Sequence, residues 1–414
     1  MRNKSLAKYR ARYTMDRYIR RKMLKEEESA FPLSTASLHT VSSTRTTFGE
    51  RRVCRHTESA GDRILQSAFP IRFPVPTTSR KPRVKVHERP KKAVIAPALR
   101  NDCYLNPLDW SRNNVLAIAL DGEVLLWNHD SQGYSELDPE DDGRYISSVK
   151  FAKDRLLAVG DSRGIVQLWD VERLRVVRVL PGREDDRVGA LAWNGDVLSS
   201  GSRKGKIRNY DIRCRRPLLF TQRTHGNPIY QLQWNLDGKI LASGAYDRVY
   251  LWDSTMTRDS RTPLMQLAGH GSIAKAMAWS PHNRHALATG GGNFDGTIRL
   301  WNVANGSLRK SLKTGSQICD LIWNARQNAL LSCQGLDGNK LCLWEASTLR
   351  QTDEFRMGDT RPAYMALDPK RRSVCVGCSD ETLQFWDVFE ESSRRSIAGL
   401  EGMSEDFVRT MQIR

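Results

Sequence analysis

Residues 187–211 read "RVGALAWNGDVLSSGSRKGKIRNYD". Three runs rich in β-formers are separated by Asn194-Gly195-Asp196 and Ser202-Arg203-Lys204-Gly205, turn compositions that permit positive φ and tight reversal. The stretch closes on an aromatic followed by an acid, Tyr210-Asp211. That ending recurs along the chain.

Seven segments end alike, at Trp127, Trp169, Tyr210, Trp252, Trp301, Trp344 and Trp386, with intervals of 42, 41, 42, 49, 43 and 42 residues. A second ladder runs through Trp110, Phe151, Trp193, Trp234, Trp279, Trp323 and Leu367, spaced 41, 42, 41, 45, 44 and 44. A repeat of about 40–45 residues with strand-type alternation and Trp-Asp endings is the signature of four-stranded propeller blades. The expected fold is all-β: a seven-bladed WD-repeat propeller over 101–395, whose ring closure removes the exposed sheet edges that invite aggregation. Blade detail is less regular than blade count, since Gly269-His270 is the single Gly-His dipeptide in the chain.

Composition divides the 414 residues differently on either side of residue 100. All eleven tryptophans lie at or after Trp110, and seven of the sixteen prolines lie before residue 101. Residues 1–100 carry 24 Lys/Arg against 8 Asp/Glu, a net +16, whereas 101–414 carry 41 against 39, a net +2. An arm so basic and poor in apolar residues buries too little surface to offset chain entropy, so 1–100 is expected to be largely disordered and to serve docking or electrostatic attraction. Residues 396–414 read as a flexible tail ending in Ile-Arg. The eight cysteines show no framework spacing, and the start of the chain lacks an apolar run of signal-peptide type. Reduced thiols in cytoplasm and nucleus are therefore expected. No apolar stretch approaches the roughly 20 residues of a membrane span, so no membrane partner is expected.

Catalysis needs a convergent nucleophile and base, a carboxylate pair or metal ligands, and none declares itself. Cys375 and Cys378 form a lone Cys-x-x-Cys inside an expected strand, with no second pair at zinc spacing. "GGGNFDG" at 290–296 lacks the Lys-Ser/Thr and the helix of a phosphate cradle, and reads as a hairpin turn. The histidines, His129 and His270 among them, read as loop or strand-end residues. Neither an enzyme nor a cofactor is expected.

The stretches "NDCYLNPLDWS", "VGALAWNGDVLSSGSR", "AMAWSPHNRHALATGGG", "GSQICDLIWN" and "DETLQFWDVF" resemble the Fizzy and Fizzy-related coactivators of the anaphase-promoting complex, a ubiquitin ligase. The resemblance runs from about residue 95 to 390. "DRYI" at 16–19 is similar to the family's C-box, and the final "IR" to its C-terminal tail. The resemblance implies that Asp16, Arg17, Tyr18, Ile19, Ile413 and Arg414 dock on helical-repeat core subunits of the ligase. Two weak anchors on one molecule raise each other's effective concentration. The C-box departs from the family at Arg20, where proline is usual, and at Lys22, where the family's arginine would add a planar fork. "RILQ" at Arg63–Gln66 resembles an element of family arms that contacts the ligase or a checkpoint protein.

For the propeller, the resemblance implies capture of degron-bearing substrates such as cyclins. Asp102 and Glu381 would form the groove for the arginine of a destruction box (Arg-x-x-Leu), by charge-assisted hydrogen bonds. Asp109, Asn293, Gln317 and Arg361 would form the rim site for a Lys-Glu-Asn box, where Tyr246 replaces the family's asparagine. These departures suggest a specialised paralogue, like the meiotic cortex proteins of insects. The alternative, from another class, is a propeller scaffold whose basic arm binds nucleic acid or chromatin. The docking reading makes nucleic acid the less expected partner.

Overall fold

The computed structural model describes residues 84–389, apart from 139–142, 153–154, 183–185, 224, 256–261 and 337. These residues are all-β and form seven sheets of four or five strands, arranged as blades 1 to 7 of a propeller. Blade 3 is the stretch quoted above with one further strand: Val188–Asn194, Val197–Ser202, Ile207–Asp211 and Leu218–Gln222, paired antiparallel in that order. Its reversals sit where the turn residues are. Gly195 has φ +59° and Gly205 φ +71°, and a Cβ on Gly205 would run into the His225 carbonyl, which leaves glycine as the residue that fits there.

The two aromatic ladders prove to be one row. In blade 3 the register pairs Trp193 with Leu198 and Leu198 with Tyr210. In the other blades Leu116, Leu157, Leu241, Leu287, Leu330 and Val374 each bridge a ladder residue of the inner strand to one of the third strand. Directly paired residues project from the same sheet face. All seven bridging residues are fully buried, so the shared period reflects a single layer packed between neighbouring blades.

The boundary expected at residue 101 lies too late. Lys92–Ile95 pairs antiparallel with Thr382–Asp387 and supplies the outermost strand of blade 7. Lys85–His87 adds in parallel to the outer strand of blade 6, Arg350–Arg356, with the His87 ring stacked on Phe355 at 4.4 Å and its Nε2 3.2 Å from Asp353. Both strands are short, flanked by proline and cations, and pair with residues more than 260 positions away, so local patterning does not reveal them. Residues 1–83 and 390–414 lie outside the described residues, and with them Asp16, Arg17, Tyr18, Ile19, Arg63–Gln66, Ile413 and Arg414.

Two histidines read as loop or strand-end residues are buried. In blade 5, His270 bonds Asp295 through Nδ1 and Thr289 through Nε2 (2.7 Å), and Trp301 Nε1 donates to the same hydroxyl (2.8 Å). Burial works to raise the Asp295 carboxyl, but the bonds from His270 and Thr297 outweigh it and hold the group below the usual range. Blade 4 keeps a truncated version: His225 Nε2 meets Ser243 Oγ at 2.7 Å and Trp252 donates to that oxygen at 2.8 Å, with no carboxylate partner among the described residues.

Burial lowers the His225 pKa to about 4. The unfolded chain takes up this proton near pH 6.5, the folded chain only near 4, so stability is unaffected above that window and falls as pH drops through it. Between about pH 7 and pH 5 the protein should lose roughly 2 kcal/mol through this group. Urea titrations at the two pH values check this, and His225→Gln should flatten the difference. An equal loss in the variant would assign the pH dependence elsewhere.

Candidate functional site

In each four-stranded blade the connection entering the inner strand and the turn between the second and third strands share one end of the sheet. That end forms the upper face. Asp102, Gln317 and Arg361 lie on entering connections, and Tyr246, Asn293 and Glu381 on second-to-third turns. The topology therefore brings six of the seven propeller residues singled out from sequence to one face.

The connection 96–107, from the closing strand into blade 1, crosses directly over the blade 7 turn. Ala98 N donates to Glu381 Oε2 at 3.2 Å, and Ala96 N donates to the Glu381 carbonyl. Glu381 has φ +59°, a left-handed conformation costing a non-glycine residue about 1–2 kcal/mol. These two bonds hold it there. The Tyr364 hydroxyl reaches the carbonyls of Arg100 and Asp102 and accepts from Asp102 N at 3.1 Å. Burial pushes the Tyr364 phenol well up, so it keeps its proton.

Neither carboxylate is idle. Asp102, with its side chain 39% exposed, accepts from Tyr104 N (3.0 Å) and pairs loosely with Arg187 Nη1 at 3.4 Å. Arg187, at the entry to blade 3, is a site residue that sequence reasoning missed. Its Nε is buried without a hydrogen-bond partner. Any guanidinium arriving at Asp102 must share it with Arg187. Glu381 is exposed.

The remaining residues divide into an arc and an outlier. Arg361 Nη2 donates to Gln317 Oε1 at 2.7 Å, and Cys103 Sγ takes bonds from Arg361 Nη2 (3.4 Å) and Gln317 Nε2 (3.3 Å). A bond to Cys319 and burial push the Cys103 thiol well up, so it stays protonated. Asn293 is exposed on the blade 5 turn, beside Phe294 at 88% exposure, and Tyr246 is 52% exposed on the blade 4 turn. Asp109 stands apart. It lies within the inner strand Leu108–Trp110, on the wall of a central cavity of about 320 Å³ also lined by Lys150, Lys275 and Asp320. Its carboxylate accepts from Lys150 Nζ (2.6 Å) and Phe151 N (2.8 Å).

Cys375 and Cys378 are buried in Ser373–Cys378, where burial raises both thiols, Cys378 to about 12. In the 290–296 stretch Gly290 ends the strand Ala286–Gly290, and 291–296 form the turn into Thr297–Asn302. Among the described residues no helix is long and apolar enough to cross a membrane.

A seven-bladed ring whose third strands end in an aromatic followed by a polar residue is a WD-repeat propeller. Residues 95–386 match the model of the CDC20/Fizzy WD40 domain, and the chain belongs to the CDC20/Fizzy family. It is 39% identical over 339 residues to the Arabidopsis thaliana protein named cell division cycle 20.1, cofactor of APC complex, covering 81% of this chain and 74% of that protein. It is 38% identical over 321 residues to the WD repeat-containing protein slp1 of Schizosaccharomyces pombe, covering 77% and 64%. Among solved structures, a chain of a crystal structure of the mitotic checkpoint complex superposes with a TM-score of 0.69 at 38% identity, covering 73% of this chain and 95% of that one.

Tyr364→Phe removes the hydroxyl that ties the closing connection down and leaves Asp102 N without its partner. The expected cost is about 1–3 kcal/mol, with faster hydrogen exchange at the amides of residues 102–105. Unchanged exchange there would mean that other contacts hold the segment.

Proposed function

We propose that this protein is a non-catalytic substrate receptor and activator of the anaphase-promoting complex, recruiting degron-bearing cell-cycle proteins such as cyclins for ubiquitination. The observation that carries the reading is the seam between blades 7 and 1, where connection 96–107 overlies the Glu381 turn and presents Asp102 on the same face. Two carboxylates on one face suit a substrate arginine, which binds them by charge-assisted bonds. The family membership and the relatives named as cofactors of that complex support the same reading. Asp16, Arg17, Tyr18, Ile19, Ile413 and Arg414 would be the anchors on helical-repeat core subunits, and Arg63–Gln66 a contact for checkpoint inhibitors. Arg20, Lys22 and Tyr246 favour a specialised meiotic paralogue acting in cytoplasm and nucleus.

Ile19→Ala should weaken co-purification with the ligase core severely, and removal of Ile413 and Arg414 less so. Both changes fall outside the described residues. Wild-type recovery of both variants would sink the two-anchor reading. Raising salt separates the nucleic-acid alternative, because binding through many phosphate contacts collapses steeply with salt, whereas docking through Tyr18, Ile19 and Ile413 should fall only in part.

Asp102→Ala combined with Glu381→Ala should abolish capture of an Arg-x-x-Leu peptide. Losing a desolvated charge partner costs about 2–5 kcal/mol, and the exposure of Glu381 places this site toward the lower figure. A fluorescence titration with unchanged affinity would remove both residues from the groove.

A further inference from the structure

Asp102 is not an open carboxylate. Its Oδ1 accepts from Tyr104 N at 3.0 Å, and its Oδ2 faces Arg187 Nη1 at 3.4 Å. The backbone beneath it is fixed, because Asp102 N donates to the Tyr364 hydroxyl and the Cys103 carbonyl accepts from the buried Lys275 ammonium. Arg187 stands on an equally firm base. Its carbonyl accepts from Arg203 N at 2.9 Å, the neighbouring Asp186 carboxylate accepts from Lys204 N and Arg208 Nη2 at 2.9 Å each, and Val188 opens the inner strand of blade 3. With both backbones pinned, the Arg187 side chain is the part left to move.

The pair itself is loose. Charge-assisted N–H···O bonds run at about 2.7–2.9 Å, and the 3.4 Å contact is longer. The Arg187 side chain is only 16% exposed, its Nε is buried without a hydrogen-bond partner, and Asp102 is the carboxylate it pairs with among the described residues. A guanidinium held in this way is poorly bonded and poorly hydrated at once. We propose that Arg187 is an internal competitor for Asp102, a resident cation that occupies the carboxylate in the free protein and limits the affinity for a ligand's arginine. The ligand's guanidinium brings a shorter bond to Oδ2, and Arg187 yields because it loses little on leaving and regains water at Nε. The free protein thereby avoids presenting an uncompensated carboxylate. The inference rests on the reading of Asp102 as the acceptor of a ligand arginine, and it gives Arg187 a sign opposite to that of a supporting residue.

The test is a fluorescence-anisotropy titration of the full chain with a labelled Arg-x-x-Leu peptide. Arg187→Gln and Arg187→Met should each tighten binding about two- to fivefold, the range set by the worth of a loose ion pair. Arg187→Lys keeps the charge and should tighten it less. Arg284→Gln, which removes a cation from a first-to-second turn at the opposite end of blade 5, serves as the control for net charge and should give no gain. Only variants whose thermal melts match the native chain are compared, and the two neutral variants stand in for each other if one fails to fold. Unchanged or weaker binding by the neutral variants, with Asp102→Ala still losing the peptide, overturns the competitor role and leaves the receptor reading standing. An equal gain from Arg284→Gln also overturns it. If the native chain and every variant fail to bind the peptide, the receptor reading falls and takes the inference with it.

Discussion

Everything on the upper face depends on one pairing, the strand Lys92–Ile95 laid against Thr382–Asp387. Without it blade 7 lacks its outer strand and the ring has an open edge, the feature that β-proteins avoid. The largest apolar cluster gathers at this seam and joins Val94, Ala96, Leu99 and Leu105 to side chains of blades 6, 7 and 1. Phe385 meets Trp127 edge-on across the closure at 5.1 Å. The same strand launches connection 96–107, so a single pairing closes the fold and places Asp102 and Glu381 on shared ground.

The stiffness of that ground comes from backbone hydrogen bonds. Glu381 holds a left-handed conformation because its carbonyl and carboxylate both receive amides from the closing connection. Lys275, buried beneath, donates to the carbonyls of Cys103 and Leu105 and lies over the Tyr364 ring. A surface held in this way is preorganised, and preorganisation is what allows short segments to bind with useful affinity.

The polar networks inside the blades are uneven. Blade 5 has the full chain from Asp295 through His270 and Thr289 to Trp301. Blade 4 keeps three members, blade 6 substitutes Gln334 beside Ser332 and Trp344, and Trp127 of blade 1 has its indole nitrogen buried without a partner. The apolar row through each blade is intact throughout. Stability is therefore carried by the layer of Trp, Leu and aromatic side chains, and the polar links set local order and pH response.

The architecture was legible along the chain because each blade is a local object. Trp193, Leu198 and Tyr210 lie within eighteen residues of one another, and the turns between their strands follow from Gly195 and Gly205. That Asp102 and Glu381 lie on one face follows from ring closure, which makes the first and last blades neighbours. What tertiary structure alone decided is non-local. The strands at Lys85–His87 and Lys92–Ile95 have no pattern of their own and take their identity from edges far along the chain. Arg187 becomes a partner of Asp102, and Lys150 of Asp109, only when separate blades converge. Periodicity reports which residues face a neighbouring sheet, whereas the sharing of charge among side chains from different blades depends on distances that no single stretch of sequence encodes.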